Sequence, residues 1–126
     1  MPQQTSPKPP VLVVEDDPAI AELLTMVLRD MGLEARATAS AAEGARWAGE
    51  QGFALAILDI HVQKGTGIDV ARALRARSVS TPIVFASGSW TPEQRQATAA
   101  IPGSILFEKP YDLTRLQDTI RRLLGG

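Results

Sequence analysis

The heptapeptide FALAILD occupies residues 53–59 of this 126-residue chain. Its six apolar residues follow Gly52 without a polar interruption and lead into Asp59. A short unbroken apolar run between a glycine and an aspartate suits a strand that is covered on both faces. Strands of this kind are typical of parallel sheets with helices on both sides. The heptapeptide therefore predicts an α/β fold and places an aspartate at the carboxyl end of a buried strand.

Three other apolar runs, residues 11–14, 83–86 and 105–107, also lead into polar groups. These groups are Glu15-Asp16-Asp17, Ser87 and Glu108-Lys109-Pro110. The carboxyl ends of parallel strands converge on one edge of an open sheet, so groups far apart in sequence can share one pocket. The expected pocket contains carboxylates, a hydroxyl and an ammonium.

Helical patterns separate the strands. Asp17-Pro18 is an N-cap followed by proline, and Ser40 with Glu43 forms a capping box that opens a second helix. We expect a third helix over residues 67–77, a fourth after Thr91-Pro92 and a fifth after Asp112. A weak strand candidate at 33–37 completes five strands, and residues 61–66 are expected to form a loop. The fourth helix has little apolar area, so we expect it to be held weakly.

Composition limits the classes of function. The formal net charge is -1 and charged residues make up 21% of the chain, so no basic field favours a nucleic-acid partner. The absence of cysteine excludes a disulfide framework, a thiolate metal site and a cysteine nucleophile. No apolar stretch suits a membrane span, and nothing near the start reads as a signal peptide. We expect a cytoplasmic protein with no membrane partner.

One domain over residues 11–126 is expected to follow a disordered, proline-rich leader over residues 1–10. The initiator methionine and the glycine end are interpreted as those of a complete small protein.

The acidic groups suit a hard divalent cation. Glu15 and Asp16 offer the oxygen ligands that Mg²⁺ prefers, whereas Asp17 is interpreted as a helix cap. Each carboxylate pair about 4 Å apart would repel by on the order of 4 kcal/mol at an intermediate dielectric. The three carboxylates of Glu15, Asp16 and Asp59 therefore need a counter-charge. Lys109 and Mg²⁺ can supply it, and Mn²⁺ could replace Mg²⁺. Asp59 is then the best nucleophile available for phosphorus.

Several of these residues also have a role that needs no ligand. The Ser87 hydroxyl could be satisfied by the backbone of its own turn, Lys109 could form an internal ion pair, and a lone loop histidine such as His61 is commonly solvated. Trp90 could be an exposed contact surface. No zinc site is expected, because no second nitrogen or sulfur ligand stands at suitable spacing.

Taken in order, these residues resemble the receiver domain of two-component response regulators. The resemblance covers residues 11–124 and rests on Glu15-Asp16, Asp59, Gly67, Ser87 and Lys109-Pro110. It implies a flavodoxin-like, doubly wound (βα)5 fold of three layers, with a five-stranded parallel sheet in the order 2-1-3-4-5. It also implies that Asp59 accepts a phosphoryl group from a phosphohistidine of a sensor histidine kinase or a histidine phosphotransfer protein. The chain would then be a phosphoacceptor rather than a turnover enzyme.

The resemblance also implies roles at the pocket. Asp16 would bind Mg²⁺ directly, Glu15 would bind it through water, and the backbone carbonyl of His61 would join Asp59 as a ligand. His61 and Ser89 occupy positions that influence dephosphorylation in this family. The face formed by the fourth helix, fifth strand and fifth helix would be the surface for an unidentified downstream protein.

Three departures from the family pattern affect the mechanism more than the family assignment. Gln63 replaces the usual proline, so a looser loop is expected there. Ser87, which together with Lys109 would hold the phosphoryl oxygens, replaces the commoner threonine and keeps the hydroxyl. Leu106 stands where many receivers carry the aromatic residue of their switch, and Phe107 has the wrong strand parity to replace it.

The run Phe85-Ala86-Ser87-Gly88 is similar to the Phe-Ala-Thr-Gly run of a single-domain receiver subgroup called FAT GUY, which lacks the switch aromatic. The working hypothesis is a stand-alone receiver. Its alternatives are a receiver excised from a hybrid histidine kinase and a phosphate sink or shuttle in a phosphorelay. The sequence does not fix whether the Lys109–Pro110 bond is cis.

Other classes are disfavoured by particular residues. A phosphatase of the haloacid dehalogenase type needs a second acid two residues after its aspartate, where this chain has His61. A flavin-binding module is disfavoured because the acidic first loop would repel the cofactor phosphate. A degenerate receiver that is not phosphorylated is disfavoured because all the chemical groups are present.

Overall fold

The computed structural model describes residues 9–78 and 80–125. Residues 1–8, most of the predicted leader, lie outside this part of the chain. The elements are β1 (Val11–Val14), α1 (Pro18–Asp30), β2 (Ala35–Thr38), α2 (Ala41–Glu50), β3 (Leu55–Asp59), β4 (His61–Val62), β5 (Gly65–Thr66), α3 (Gly67–Arg77), β6 (Ile83–Ser87), α4 (Pro92–Ala99), β7 (Ser104–Glu108) and α5 (Leu113–Leu123). Within the described ranges, none of the helices combines the length and apolar character that crossing a membrane requires.

Five strands form one parallel sheet in the order β2-β1-β3-β6-β7. Counting only the strands of this sheet, the order is the predicted 2-1-3-4-5. The strand order reverses at β1, which leaves a crevice outside the carboxyl ends of β1 and β3. Asp59 ends β3 and Glu15 follows β1, so the topology brings both carboxylates to this crevice.

Alternate residues of the strands enter two separate hydrophobic clusters. On β1, Val11 and Val13 belong to a cluster with buried apolar residues of α1 and α5, such as Leu24 and Leu116. Leu12 and Val14 belong to a cluster with buried apolar residues of α2 and α3, such as Ala48 and Leu74. Because side chains alternate across a strand, the sheet is covered on both faces. The predicted doubly wound, three-layer α/β fold is confirmed.

The second strand begins later than the sequence predicts. We expected it over residues 33–37, but β2 spans Ala35–Thr38. Gly32 has a left-handed φ of 80°, and the Leu33 N–H donates to the Leu28 carbonyl at 2.9 Å. This bond ends α1 in a glycine turn, so Leu33 belongs to the helix stop rather than to the strand.

The predicted loop over residues 61–66 is a small antiparallel hairpin, because β4 pairs with β5. Its turn is the two-residue segment Gln63-Lys64, which connects the paired residues Val62 and Gly65. Lys64 has a left-handed φ of 57°, and Gly65, the first residue of β5, has a φ of 128° that glycine adopts readily. The chain after Asp59 therefore has a defined path.

Gln63 is held by the backbone of the neighbouring connection. Its N–H donates to the Ala39 carbonyl at 3.1 Å, and its carbonyl accepts the Ala41 N–H at 2.8 Å. These two hydrogen bonds join the hairpin to the start of α2. They restrain the backbone where a proline would restrict φ, and the looser loop expected at Gln63 stays a prediction.

The capping box at α2 is only half formed. The Ser40 hydroxyl accepts the Glu43 N–H at 3.2 Å, as predicted. The Glu43 carboxylate instead accepts a hydrogen bond from the Thr38 hydroxyl, and that hydroxyl accepts the Ser40 N–H at 3.1 Å. Thr38 therefore links two groups that the sequence pattern pairs directly.

Gly67 lies where α3 passes the backbone of Asp59. A β-carbon at Gly67 would collide with the Asp59 carbonyl oxygen and stand 3.1 Å from its carbonyl carbon. We expect Gly67→Ala to lower the free energy of unfolding by about 2 kcal/mol, as overpacking does. Urea unfolding followed by circular dichroism measures this change.

Gly49→Ala is the matched control for this prediction. No atom lies within 4 Å of a β-carbon built at Gly49, and alanine favours a helix over glycine by about 0.5–1 kcal/mol. The control is expected to be slightly more stable than the wild type. Equal unfolding midpoints for the two alanine variants would contradict the close approach of Gly67 to Asp59.

Candidate functional site

Five side chains with functional groups meet at the carboxyl edge of the sheet. They are Glu15, Asp16, Asp59, Ser87 and Lys109. Each stands at or directly after the end of a strand, because β1, β3, β6 and β7 stop at nearly the same level of the sheet. The parallel register therefore assembles one site from four distant segments.

Lys109 bridges two buried carboxylates. Its Nζ lies 2.7 Å from Glu15 Oε1 and 2.8 Å from Asp59 Oδ2. Burial raises the pKa of Glu15; the hydrogen bond from Lys109 opposes this change without cancelling it. Burial alone would lower the pKa of Lys109, but hydrogen bonds to Asp59 and Glu15 raise it above its ordinary value. The ammonium is therefore a fixed positive charge at the centre of the site.

Asp16 completes an acidic cluster on the solvent side. Glu15, Asp16 and Asp59 each place an oxygen atom within 4.8 Å of the others. Among the described residues, no salt bridge engages Asp16. Three ionised carboxylates and one ammonium leave two net negative charges, which one divalent cation would neutralise. Hard oxygen donors of this kind fit Mg²⁺.

Asp17 lies outside this cluster and caps α1. Its carboxylate accepts the N–H groups of Ala19 and Ile20 at 2.9 and 3.3 Å. Its own N–H donates to Glu15 Oε2 at 3.2 Å. The prediction that Asp17 is a helix cap is confirmed, and the cap also orients the buried Glu15 carboxylate.

Both oxygens of Asp59 have a partner. Oδ2 accepts from Lys109, and Oδ1 accepts the backbone N–H of His61 at 3.1 Å. The carboxylate is therefore held in one orientation at the end of its strand. The His61 side chain, which we expected to be solvated, is exposed but also lies with its Nε2 3.4 Å from Nε2 of Gln94 on α4.

The Ser87 hydroxyl is satisfied by its own turn. It donates to the Ser89 carbonyl at 2.6 Å and accepts the Ser89 N–H at 3.2 Å. This local arrangement is the one predicted for a Ser87 hydroxyl that binds no ligand. Ser87 is fully buried. To donate to an incoming oxygen, the hydroxyl must give up the Ser89 carbonyl.

A groove beside the site contains the residues predicted to act in the readout. Leu106 is 36% exposed, whereas Phe107 is buried in the hydrophobic cluster on the α1 and α5 side of the sheet. The two neighbours lie on opposite faces of the strand, as strand parity predicts. Trp90 is half-buried: it packs against the cluster under α2 and α3 and is only partly exposed. These residues line part of a cavity of about 440 Å³ that also includes Pro110. The Lys109–Pro110 bond is cis.

Sequence reasoning missed Gln94 as a neighbour of the site. The sequence does mark Gln94 in one way, through the capping-box spacing from Thr91 to Gln94. Both hydrogen bonds of that capping box are present in the structure. The spacing predicts the cap but gives no indication of the contact with His61. That contact depends on how α4 packs beside the hairpin.

Known proteins resemble this chain in sequence and in fold. The family described as the response regulator receiver domain matches residues 11–121. The cell cycle transcriptional regulator CtrA of Caulobacter vibrioides is 30% identical over 119 residues, which are 91% of this chain and 52% of CtrA. The chain therefore spans about half the length of that regulator.

Two solved structures have the same fold. The chemotaxis protein CheY4 of Vibrio cholerae is 28% identical, with a TM-score of 0.82 over 94% of this chain and 100% of that chain. A CheY-like receiver domain protein of Methanospirillum hungatei is 22% identical, with a TM-score of 0.86 over 94% of this chain and 95% of that chain.

Proposed function

Because this chain belongs to the response regulator receiver domain family, whose members act as phosphoacceptors in two-component signalling, we propose that Asp59 is its phosphoacceptor. The observation that carries this proposal is the position of the Lys109 ammonium, 2.8 Å from Asp59 and 2.7 Å from Glu15. An oriented carboxylate beside a fixed cation and further oxygen ligands is what nucleophilic attack on a phosphoryl group requires.

In the proposed reaction, an Asp59 oxygen attacks the phosphorus atom of a phosphohistidine. The new P–O bond forms as the P–N bond breaks, and the departing imidazole keeps the electron pair and takes up a proton. Lys109 stays beside the phosphoryl oxygens and balances their charge, while Ser87 exchanges the Ser89 carbonyl for one of those oxygens.

The same site has the ligands for a divalent cation. Glu15, Asp16, Asp59 and the backbone carbonyl of His61 would hold Mg²⁺, or Mn²⁺ in its place. When bound, the cation would supply positive charge to the phosphoryl oxygens. The acidic cluster supports this assignment, because its three carboxylates together with the Lys109 ammonium carry two net negative charges, which one divalent cation balances.

We propose that the phosphoryl donor is a sensor histidine kinase or a histidine phosphotransfer protein, and that an unidentified downstream protein binds the face formed by α4, β7 and α5. The cavity beside Leu106, with Arg95 and Arg115 at its sides, supports that surface. Action as a single-domain regulator of the FAT GUY subgroup stays a prediction, as do the alternatives of a hybrid-kinase fragment and a phosphate sink or shuttle.

A signalling phosphoacceptor fits the site better than a turnover phosphatase does. A phosphatase of the haloacid dehalogenase type needs a second acid two residues after the nucleophile. Here His61 occupies that position, and its ring lies beside Gln94 on α4. No carboxylate from that position is available to protonate a leaving group.

The proposal is tested with acetyl phosphate as a small-molecule donor. The purified chain is incubated with acetyl phosphate and Mg²⁺, and its intact mass is measured. We expect an adduct of one phosphoryl group that is lost when EDTA replaces Mg²⁺. An unmodified protein under conditions that phosphorylate a known receiver would contradict the proposal.

Binding of Mg²⁺ is expected to stabilise the fold. A ligand at 100 times its dissociation constant adds about 2.7 kcal/mol, and the thermal unfolding midpoint should rise accordingly. Asp16→Asn should lose most of this rise because it removes a ligand. It should also be slightly more stable than the wild type in EDTA, because it removes a carboxylate that repels Glu15 and Asp59.

The matched control for the Mg²⁺ prediction is Asp118→Asn, which neutralises an exposed carboxylate on α5. This variant should keep the full response to Mg²⁺. Calorimetric thermal scans with Mg²⁺ or EDTA make the comparison. If Mg²⁺ raised the unfolding midpoint of Asp16→Asn as much as that of Asp118→Asn, the cation would bind elsewhere.

A further inference from the structure

A chain of hydrogen bonds leads from Asp59 to the start of α4. Asp59 Oδ1 accepts the His61 N–H at 3.1 Å. The His61 ring nitrogen Nε2 lies 3.4 Å from Gln94 Nε2. Gln94 Oε1 in turn accepts the Thr91 N–H at 3.0 Å. These bonds connect the acceptor carboxylate, through one side-chain pair, to the cap of the helix across the site.

The capping box decides which atoms face each other in this chain. The side-chain oxygen Oε1 of Gln94 accepts the backbone N–H of Thr91, and the backbone N–H of Gln94 donates to the Thr91 hydroxyl at 3.1 Å. The amide nitrogen of the Gln94 side chain is therefore the atom that faces His61. Because an amide nitrogen only donates, a hydrogen bond between these two side chains requires His61 Nε2 to be the acceptor.

Few contacts oppose a shift of α4. Thr98 is its one buried residue among Pro92–Ala99. Trp90 directly precedes the cap, and its ring is half-buried against the cluster under α2 and α3. A helix with so little buried apolar surface belongs to the low-stability part of a fold, so single polar contacts at its start can set its position.

Leu106 of β7 cannot couple the site to α4 by a polar contact. It is 36% exposed and has neither a ring nor a hydroxyl that could enter the site. We propose that the His61–Gln94 pair transmits phosphorylation of Asp59 to α4. This inference rests on Asp59 being the phosphoacceptor, and it deepens that function by naming its route of regulation.

Phosphorylation changes the first bond of the route. A carboxylate oxygen becomes part of an acyl phosphate, so the charged acceptor of the His61 N–H is replaced by a neutral carbonyl or by a phosphoryl oxygen farther from the strand. The His61 backbone moves with its acceptor and carries the ring relative to Gln94. Because Gln94 also caps α4, the change reaches Thr91 and the neighbouring Trp90.

Trp90 fluorescence measures the movement, with phosphoryl occupancy determined by intact mass in the same samples. The wild type is expected to change its emission on phosphorylation, and Trp90→Phe should abolish that change. Gln94→Ala should accept the phosphoryl group as the wild type does but lose most of the emission change. His61→Ala should lose the emission change to the same extent when that change is normalised to phosphoryl occupancy. The double variant should lose no more of the emission change than either single variant.

Gln96→Ala is the matched control, since Gln96 is an exposed glutamine on the same helix and should leave the signal intact. A full emission change in phosphorylated Gln94→Ala would overturn the route, as would phosphorylated wild type with no emission change. Absence of phosphorylation in the wild type would instead overturn the proposed function, so the two failures are distinguishable.

Discussion

Replacing Lys109 with methionine is expected to lower the free energy of unfolding by about 3 kcal/mol in metal-free buffer. The variant keeps much of the apolar stem but leaves Glu15 and Asp59, which are 3% and 5% exposed, without the cation they share. Removing one partner of a buried ion pair costs about 3–5 kcal/mol because the remaining charge is uncompensated. Urea unfolding in EDTA measures the loss.

Mg²⁺ is expected to restore part of the stability that Lys109→Met loses, because a divalent cation replaces the missing positive charge. Adding Glu15→Gln should also restore part, since it removes one of the two uncompensated carboxylates. Lys64→Met makes the same substitution on the exposed hairpin and should leave stability nearly unchanged. If Lys109→Met and Lys64→Met were equally stable, the bridging role of Lys109 would be refuted.

The pH dependence of this difference follows from the pKa of Lys109. Burial alone would lower that pKa, but hydrogen bonds to Asp59 and Glu15 raise it above the ordinary 10.5. A cation with a raised pKa stabilises the folded state fully below its unfolded pKa and ceases to do so as pH passes the raised value. As the pH is raised from neutrality, the contribution of Lys109 to stability should therefore persist and fall only at strongly alkaline pH. A fall near neutrality would contradict the raised pKa.

Asp59→Asn is expected to abolish acceptance of a phosphoryl group. The amide keeps the shape of the side chain and an oxygen for the His61 N–H, but it lacks the charged oxygen that attacks phosphorus. The fold should persist, because the lost ion pair with Lys109 is offset by relief of the repulsion from Glu15 and Asp16. Intact mass after incubation with acetyl phosphate and Mg²⁺ measures acceptance.

Asp118→Asn is the matched control for Asp59→Asn as well. It makes the same chemical change on an exposed side chain that is paired with Arg121 on α5. It should be phosphorylated to the same extent as the wild type. An adduct on Asp59→Asn at the wild-type level would exclude Asp59 as the acceptor.

Much of the fold was predictable because its signals are local and periodic. The heptapeptide before Asp59, the cap at Asp17 and the proline after Thr91 each specify their own element. The strand-end positions of Asp59 and Lys109 then follow from the parallel topology. These residues meet in the structure as the sequence indicates.

The contacts that were missed join segments whose relative placement only packing determines. The Thr38 hydroxyl enters the cap of α2, the Gln63 backbone pairs with the start of α2, and His61 reaches Gln94. None of these contacts has a periodic or spacing signal of its own. The Ser87 hydroxyl differs, because its two possible partners were both predictable and the structure shows the local one.

The most direct test of the central proposal is to identify the residue that carries the phosphoryl group. Hydride reduction converts an aspartyl acyl phosphate into homoserine and leaves phosphate esters of serine unchanged. After phosphorylation, reduction and proteolysis, peptide mass mapping should find homoserine at position 59 and at no other position. Homoserine at Asp16 or at another acidic residue, or a phosphate ester on Ser87, would contradict the assignment of Asp59.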